Sequence, residues 1–367
     1  MDLFRAFMLK PEYSARTLGL TMHLIRCNPS NYSLWAYRAR IILQDNVKSV
    51  APDANSSSSD PFLPQVSPTR EGRLADELDF MDVLAKENMK NYQVWQHRKV
   101  IVTELGHAIS KRASTDDASA AGEEWKAVAG RELAFVRDAL KQDAKNYHTW
   151  AYRQWVLGHF GGMGNVKADT SGAGEGSISA IRKAVGDDVW SQELAYVEEL
   201  LEEDLRNNSA WNHRFFTLFA SGRASSGPND DAEDEIIEQE VQYSIKKLGI
   251  AKNNSSAWGY LRGIMQRLKQ RSDSKSSPNE SEKVYVRLRK SIDDFAASLI
   301  PSNEEYASDP EIEASGNSVP LALEWLMDSK AEQGEVKEAG IYIDRLIKAD
   351  PMRARYWEYR RSVLSKS

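Results

Sequence analysis

Two short segments of the sequence collect side chains able to handle an anion: Lys90-Asn91-Tyr92-Gln93 and Lys145-Asn146-Tyr147-His148. In each, a lysine precedes an asparagine and a tyrosine follows it. Asparagine is a strong helix N-cap, so the ammonium and the phenol stand at the positive end of a helix. Such a pair can stabilise negative charge building on a phosphate group. The Gln93 amide adds a neutral donor suited to a carboxylate. A plainer reading stands beside this one. A basic residue just after a helix C-terminus is an ordinary dipole partner, and His148 by itself reads as a solvated turn histidine. The equivalent slot along the chain holds Ser30, Lys90, Lys145, Arg206, Asn253 and Met352, and spacing alone does not rank Lys90 above Lys145.

Other chemistries find no support. The sequence has no Gly-rich phosphate loop, no His-Glu-x-x-His pattern and no serine elbow. Its one cysteine, Cys27, rules out a disulfide within the chain and a cysteine-built zinc site, which fits a reducing compartment. A net charge of −6, from 48 basic and 54 acidic residues, makes no case for nucleic acid. Met1 to Ile25 mixes charge throughout and lacks the apolar stretch of a signal peptide. No apolar run approaches the roughly 18 residues that span a bilayer, and Leu364-Ser365-Lys366-Ser367 is not a lipidation signal. The expectation is a soluble cytoplasmic protein without membrane insertion.

The two segments belong to a repeat. Six of the ten tryptophans share their surroundings: Trp35 in NYSLWAYR, Trp95 in NYQVWQHR, Trp150 in NYHTWAYR, Trp211 in NNSAWNHR, Trp258 in NSSAWGYLR and Trp357 in RARYWEYR. Asparagine precedes Trp by four residues in the first five copies (Asn31, Asn91, Asn146, Asn207, Asn254), and Arg follows by three in all but the fifth, where Arg262 is slipped by one. Fourteen residues before the Asn stands Glu77, Glu132, Glu193 or Glu240, each opening an apolar-x-aromatic helical pattern. Each unit therefore reads as helix A, a short turn and helix B. Trp and Arg share the inner face of helix B, where Trp packs between hairpins and Arg reaches a neighbouring helix end or an acidic partner. Such hairpins cannot bury their apolar faces alone, so they should stack.

The expected fold is all-α: a right-handed superhelix, or α-solenoid, of antiparallel helical hairpins forming a crescent, with residues 1–367 as one domain. The tryptophans stand 47 to 99 residues apart, more than the roughly 35 to 45 that two helices and their turns need. The excess is assigned to low-complexity surface insertions near 47–72, 107–126, 160–188, 221–234 and 271–282. Between Trp258 and Trp357 an atypical unit is read, with helices near 283–299, 319–333, 335–349 and 353–365.

The repeated NYxxWxxR signature with its upstream Glu-apolar-x-aromatic helix resembles the protein prenyltransferase α-subunit repeat, from about Leu3 to Val363. Lys90 to Arg98, Asp143 to Trp150 and the ending Asp350-Pro351-x-Arg353-x-x-Tyr356-Trp357 are similar to the α subunit shared by farnesyltransferase and type I geranylgeranyltransferase. The resemblance implies a crescent around a β subunit that holds zinc and most of the diphosphate site, with magnesium accompanying the diphosphate. The heterodimer would transfer a farnesyl or geranylgeranyl group to the cysteine of a C-terminal CaaX motif. It implies that Lys90 contacts the diphosphate and assists catalysis, that Tyr92 lines the same site, and that Gln93 binds the CaaX carboxylate. Asn146, Tyr147 and His148 would form a second cluster near diphosphate and peptide. Gln93 and His97 mark the second copy as the one carrying the lysine.

Members of that family usually carry an acidic, Pro-rich segment before the first repeat, whereas this chain starts almost at its first helix. A contact with the β subunit is then missing, or the chain is shortened. Two other readings compete. The α subunit of Rab geranylgeranyltransferase uses the same repeat, but its substrate gives Gln93 no free CaaX carboxylate. A non-catalytic scaffold of tetratricopeptide type would keep a strict period of about 34 residues, which the tryptophan spacings do not fit.

Overall fold

The computed structural model describes residues 2–45, 47, 66–113, 118–163, 175–220, 231–274, 279–309, 311–312 and 318–364. Its contacts divide the chain into two compact units, Met1–Leu194 and Ala195–Ser367. Both are all-α, and no strand is formed among the described residues.

The first unit contains α1 (Asp2–Leu9), α2 (Ala15–Cys27), α3 (Tyr32–Ile42), α4 (Arg70–Glu87), α5 (Tyr92–Ala113), α6 (Ala118–Gln142), α7 (Tyr147–Gly161) and the part of α8 (Glu175–Glu203) up to Leu194. The second holds the rest of α8, then α9 (Asn208–Ala220), α10 (Asp231–Ile250), α11 (Ser255–Ser274), α12 (Asn279–Ser298), α13 (Asn303–Ser308), α14 (Pro320–Glu332), α15 (Val336–Ala349) and α16 (Ala354–Leu364). In the first unit α2–α3, α4–α5 and α6–α7 pack as antiparallel pairs, and the B helices α3, α5 and α7 also touch in succession. In the second, α10 packs on α11, α12 bridges α11 and α14, and α14–α15 and α15–α16 form the final pairs.

The repeat residues build these pairs as their types require. Asn31, Asn91, Asn146, Asn207 and Asn254 each accept a backbone N–H two residues on at 2.9–3.1 Å, capping helix B. Each repeat tryptophan then pins the turn before it. The Nε1–H donates to the carbonyl six residues earlier: Trp35 to Pro29, Trp95 to Met89, Trp150 to Ala144, Trp211 to Leu205 and Trp258 to Lys252, all at 2.7–2.9 Å. Only an indole combines the bulk to fill the gap between helices with one donor at this reach. The sixth copy differs. Six residues before Trp357 stands Pro351, which opens a 3-10 turn, and the buried Trp357 Nε1 has no hydrogen-bond partner.

The repeat arginines and glutamates find each other across copies. Arg38 grips Glu77 through two bonds of 2.7 and 2.6 Å, and Arg98 grips Glu132 at 2.7 and 2.8 Å. Arg153 grips Glu193 at 2.6 and 2.7 Å, and within the second unit Arg214 grips Glu240 at 2.6 and 2.7 Å. All eight residues are buried. The glutamate is held from a second side by the residue two after its own copy's tryptophan: His97 on Glu77 at 2.7 Å, Tyr152 on Glu132 at 2.6 Å and Tyr260 on Glu240 at 2.6 Å. Burial pulls the Glu77 carboxyl up, but Arg38 and His97 outweigh it and hold its pKa below the ordinary value.

The expected insertions need correction. Residues 107–113 continue α5, 118–126 open α6, 175–188 open α8, 231–234 open α10, and 271–274 and 279–282 lie in α11 and α12. Residues 48–65, 114–117, 164–174, 221–230 and 275–278, which the same expectation covers, lie outside the described residues. The small residues misled because alanine is also the best helix former. Within these stretches Trp125 is fully buried and donates to the Phe160 carbonyl at 3.0 Å. Ile181, Val185 and Val189 recur every four residues and are buried on α8. A Cβ on Gly186 would meet the Gly161 carbonyl oxygen at 2.6 Å, so this glycine lets α8 pass close to the end of α7.

Candidate functional site

The first unit brings three A-to-B turns side by side, at residues 28–31, 88–91 and 143–146. The Asn91 Nδ2–H donates to Ser30 Oγ at 3.0 Å, joining the first turn to the second. Lys90 Nζ lies 3.7 Å from Asp143 Oδ2, joining the second to the third. The N-termini of α3, α5 and α7 thus neighbour one another, and their aligned peptide dipoles add positive potential at one edge.

On this edge the sequence-predicted residues separate into exposed and buried groups. The Lys90 side chain is 80% exposed. Tyr92 and Tyr147, first residues of α5 and α7, are 68% and 70% exposed. Their rings meet on His148: Tyr92 stands edge-on to it with centroids 4.3 Å apart, and Tyr147 at 5.7 Å. Gln93 is half-buried one residue into α5, its backbone N–H donating to Asn91 Oδ1 at 2.9 Å. Tyr92, Tyr147 and His148 are therefore brought together from two copies of the repeat, with Lys90 on the same edge reaching Asp143 of the third turn. Asn146 does not share their exposure. It is 3% exposed, its Oδ1 accepts from the His148 and Thr149 amides at 3.0 and 3.2 Å, and its Nδ2–H donates to Asp143 at 3.3 Å. Its task is to hold the first turn of α7, which carries Tyr147 and His148.

Trp35, Trp95, Trp150, Trp211, Trp258 and Trp357 are all buried packing residues, as the repeat predicts. Two features escaped the sequence reading. Tyr32, first residue of α3, is 68% exposed in the same slot as Tyr92 and Tyr147; the NYxxW pattern itself was the signal. Asp143 reads in sequence as one more polar turn residue, and only its distance to Lys90 singles it out.

The arrangement offers an ammonium, two phenols and an imidazole to a ligand approaching from solvent, a set of donors suited to phosphate oxygens. Among the described residues no group of three or more His, Cys, Asp or Glu is placed to hold a metal ion, and no described helix is long and apolar enough to cross a membrane. The second unit has a cavity of about 410 Å³ between α11, α12 and α14. Its cations are already matched: Arg262 pairs with Asp328, and Lys269 and Arg289 lie 3.7 and 3.6 Å from Glu332. None of the sequence-predicted site residues lines it.

Comparison with known proteins bears on both the pairs and the turns. Residues 15–45, 74–105, 130–160 and 190–221 match the family described as "Protein prenyltransferase alpha subunit repeat". Each match includes one repeat Trp and, for the second to fourth, its Glu; the copies around Trp258 and Trp357 lie outside the matched residues. Across its length the chain is similar to two fungal proteins. It is 24% identical over 350 residues to the geranylgeranyl transferase type-2 subunit alpha of Saccharomyces cerevisiae, covering 93% of this chain and 83% of that protein. It is 26% identical over 366 residues to the protein farnesyltransferase/geranylgeranyltransferase type-1 subunit alpha of Candida albicans, covering 100% of this chain and 88% of that protein. Over a shorter stretch of 103 residues, 28% of this chain and 26% of the relative, identity reaches 37% with the type-1 subunit alpha of Schizosaccharomyces pombe.

Proposed function

The chain belongs to the protein prenyltransferase alpha-subunit repeat family, and from that premise we propose that it is the α subunit of a heterodimeric enzyme transferring farnesyl or geranylgeranyl from its diphosphate to the cysteine of C-terminal CaaX motifs. The observation that carries this reading is the joining of two adjoining turns, Tyr92 to the His148 ring beside Tyr147 and Lys90 to Asp143. The partner is a β subunit of farnesyltransferase or type I geranylgeranyltransferase. Zinc belongs to that partner, where it would draw the proton from the substrate thiol; magnesium accompanies the diphosphate.

The residues of this chain act on the leaving group and the peptide end. As the bond from carbon to the bridging oxygen breaks, negative charge gathers on the diphosphate. The Lys90 ammonium and the Tyr92 hydroxyl, at the N-terminus of α5, stabilise that charge more than the ground state, which is what lowers a barrier. The Gln93 amide donates to the CaaX carboxylate. Asn146 caps α7 and so sets Tyr147 and His148 beside Tyr92.

A second reading is favoured by one finding: the similarity to the yeast type-2 subunit alpha, which runs over 350 residues. The choice rests on Gln93. Complexes of the chain with a type I β subunit are assayed on a peptide ending in CaaX and on the same peptide amidated. Under the first reading the free carboxylate is preferred and Gln93→Ala removes most of the preference. Failure to assemble with a type I β subunit, and assembly with a type-2 β subunit instead, would decide for the second. The chain without its partner should turn nothing over, with zinc and magnesium supplied; robust transfer by the isolated chain would overturn the heterodimer.

A further inference from the structure

We propose that Asp143 is a positioning residue for Lys90: fixed by its own turn, it holds the Lys90 ammonium across the gap between the second and third repeats. The inference rests on the reading of Lys90 given above and adds a residue to it.

The repeat itself separates what the turn needs from what Asp143 adds. At the equivalent position of the first copy, the Asn28 Oδ1 accepts the Ser30 N–H at 3.2 Å. In the fourth, the Asp204 Oδ1 accepts the Arg206 N–H at 2.9 Å. Asp143 makes the same bond, its Oδ1 accepting the Lys145 N–H at 3.4 Å. An amide oxygen satisfies this turn as well as a carboxylate does, so the negative charge at 143 is surplus to folding the turn. It is also badly placed locally. Asp143 immediately follows the last residue of α6, Gln142, where a helix disfavours an anion. What faces the charge is Lys90 Nζ at 3.7 Å from Oδ2, with the Asn146 amide at 3.3 Å on the same oxygen. The carboxylate is bonded on both oxygens within its turn, while Lys90 is a long side chain in solvent. Of the two it is the lysine whose freedom the pair removes. The carboxylate keeps the ammonium at the edge shared with Tyr147 and His148.

A positioning role and a bare charge effect predict different kinetics. Loss of the tether slows the step in which Lys90 meets the developing charge. Loss of an anion beside the site leaves binding of the anionic substrate no weaker. Asp143→Asn in the heterodimer keeps the turn oxygen, as Asn28 does. Its kcat should fall about three- to tenfold, the range set by the side-chain freedom a lysine regains. KM for the prenyl diphosphate should not rise, and the melting temperature should stay that of the unsubstituted complex. In a Lys90→Ala background the same substitution should change kcat by less than about twofold, because the two residues act as one unit. An unchanged kcat for Asp143→Asn alone, or an equal fall in both backgrounds, would overturn the role of Asp143 while leaving Lys90 in place. If Lys90→Ala itself leaves kcat unchanged, the reading of Lys90 fails and the inference fails with it.

Discussion

The turn between α4 and α5 in the first unit and the turn between α10 and α11 in the second are built alike and equipped differently. Each has its cap, Asn91 or Asn254, and each is pinned by an indole, Trp95 on Met89 or Trp258 on Lys252. Each also reaches the turn before it through the cap's own amide, Asn91 to Ser30 and Asn254 to the Leu205 carbonyl. At the exposed slots the two part. The first carries Lys90 and Tyr92, the second Asn253 and Ser255. At the turn the frame consumes the Asn and the Trp, and its other residues, the paired Arg and Glu, are buried within the helices. Positions facing solvent are left free, so a site can be placed on one copy without altering how any copy folds.

The comparison can be broken most forcefully through the frame. Glu132→Ala in the first unit and Glu240→Ala in the second each strip the doubly bonded carboxylate from a buried arginine, leaving it one other carboxylate, Asp82 at 2.7 Å or Glu198 at 3.3 Å. Both should cost about 3–5 kcal/mol of stability by chemical denaturation. A cost in one unit and not the other would mean the frame is not shared. The turns should respond oppositely. Lys90→Ala should lower kcat of the heterodimer by roughly 10²–10³ with little change in melting temperature, whereas Asn253→Ala should leave both alone. Should Lys145→Ala be the damaging change instead, the site sits one copy further on.

A smaller contrast is acid sensitivity. In the first unit His159 is stacked between Trp155, at 4.8 Å, and Trp125, at 5.7 Å, and the Arg182 Nε–H donates to its carbonyl at 2.6 Å. Burial pushes its pKa down from the ordinary value to about 3, with Arg182 and His107 adding repulsion. In the unfolded chain a histidine takes up its proton near pH 6.5. Between these values the unfolded state binds more protons, so stability present above about 6.5 is lost as the pH falls towards 3, on the order of a few kcal/mol. A stability profile of His159→Phe against the unsubstituted chain checks this: the variant should lose less over that range. The smallest effect separates the ordinary copies from the sixth. Trp258→Phe abandons a bond and leaves the Lys252 carbonyl unmatched, while Trp357→Phe removes an N–H that has no partner. The first should cost about 1 kcal/mol more than the second.

Much of the frame was legible in sequence because local spacing encodes it. Asn four residues before Trp defines the cap, and Trp followed by Arg defines the inner face. The atypical helices after Trp258 were also within reach, since α12, α14, α15 and α16 lie within a few residues of their expected bounds. What periodicity could not state was pairing across copies. The repeated Glu and the repeated Arg were both visible, yet that Arg38, besides holding the Leu18 carbonyl and Thr21 of its own hairpin, reaches Glu77 of the next copy depends on which helices touch. In the Ala- and Gly-rich stretches composition points to insertions while register points to helix: Trp125 and the Ile181-Val185 face, continued by Val189, carry the helical signal. At the site, residue types pointed to Lys90, Tyr92 and His148. The partner of Lys90 could not be read, since the two are separated by 53 residues in the chain and by 3.7 Å in space.

The arginine–glutamate joint has one more consequence. Every junction where it occurs uses the same two side chains in the same bidentate grip, so a junction does not register which copies it unites. Adding or excising a whole hairpin would bring an Arg of one copy against a Glu of another and remake the same two-bond contact. Such a chain can change its length by whole hairpins much as a string of identical couplings takes an extra carriage, while the residues at the turns diverge on their own account.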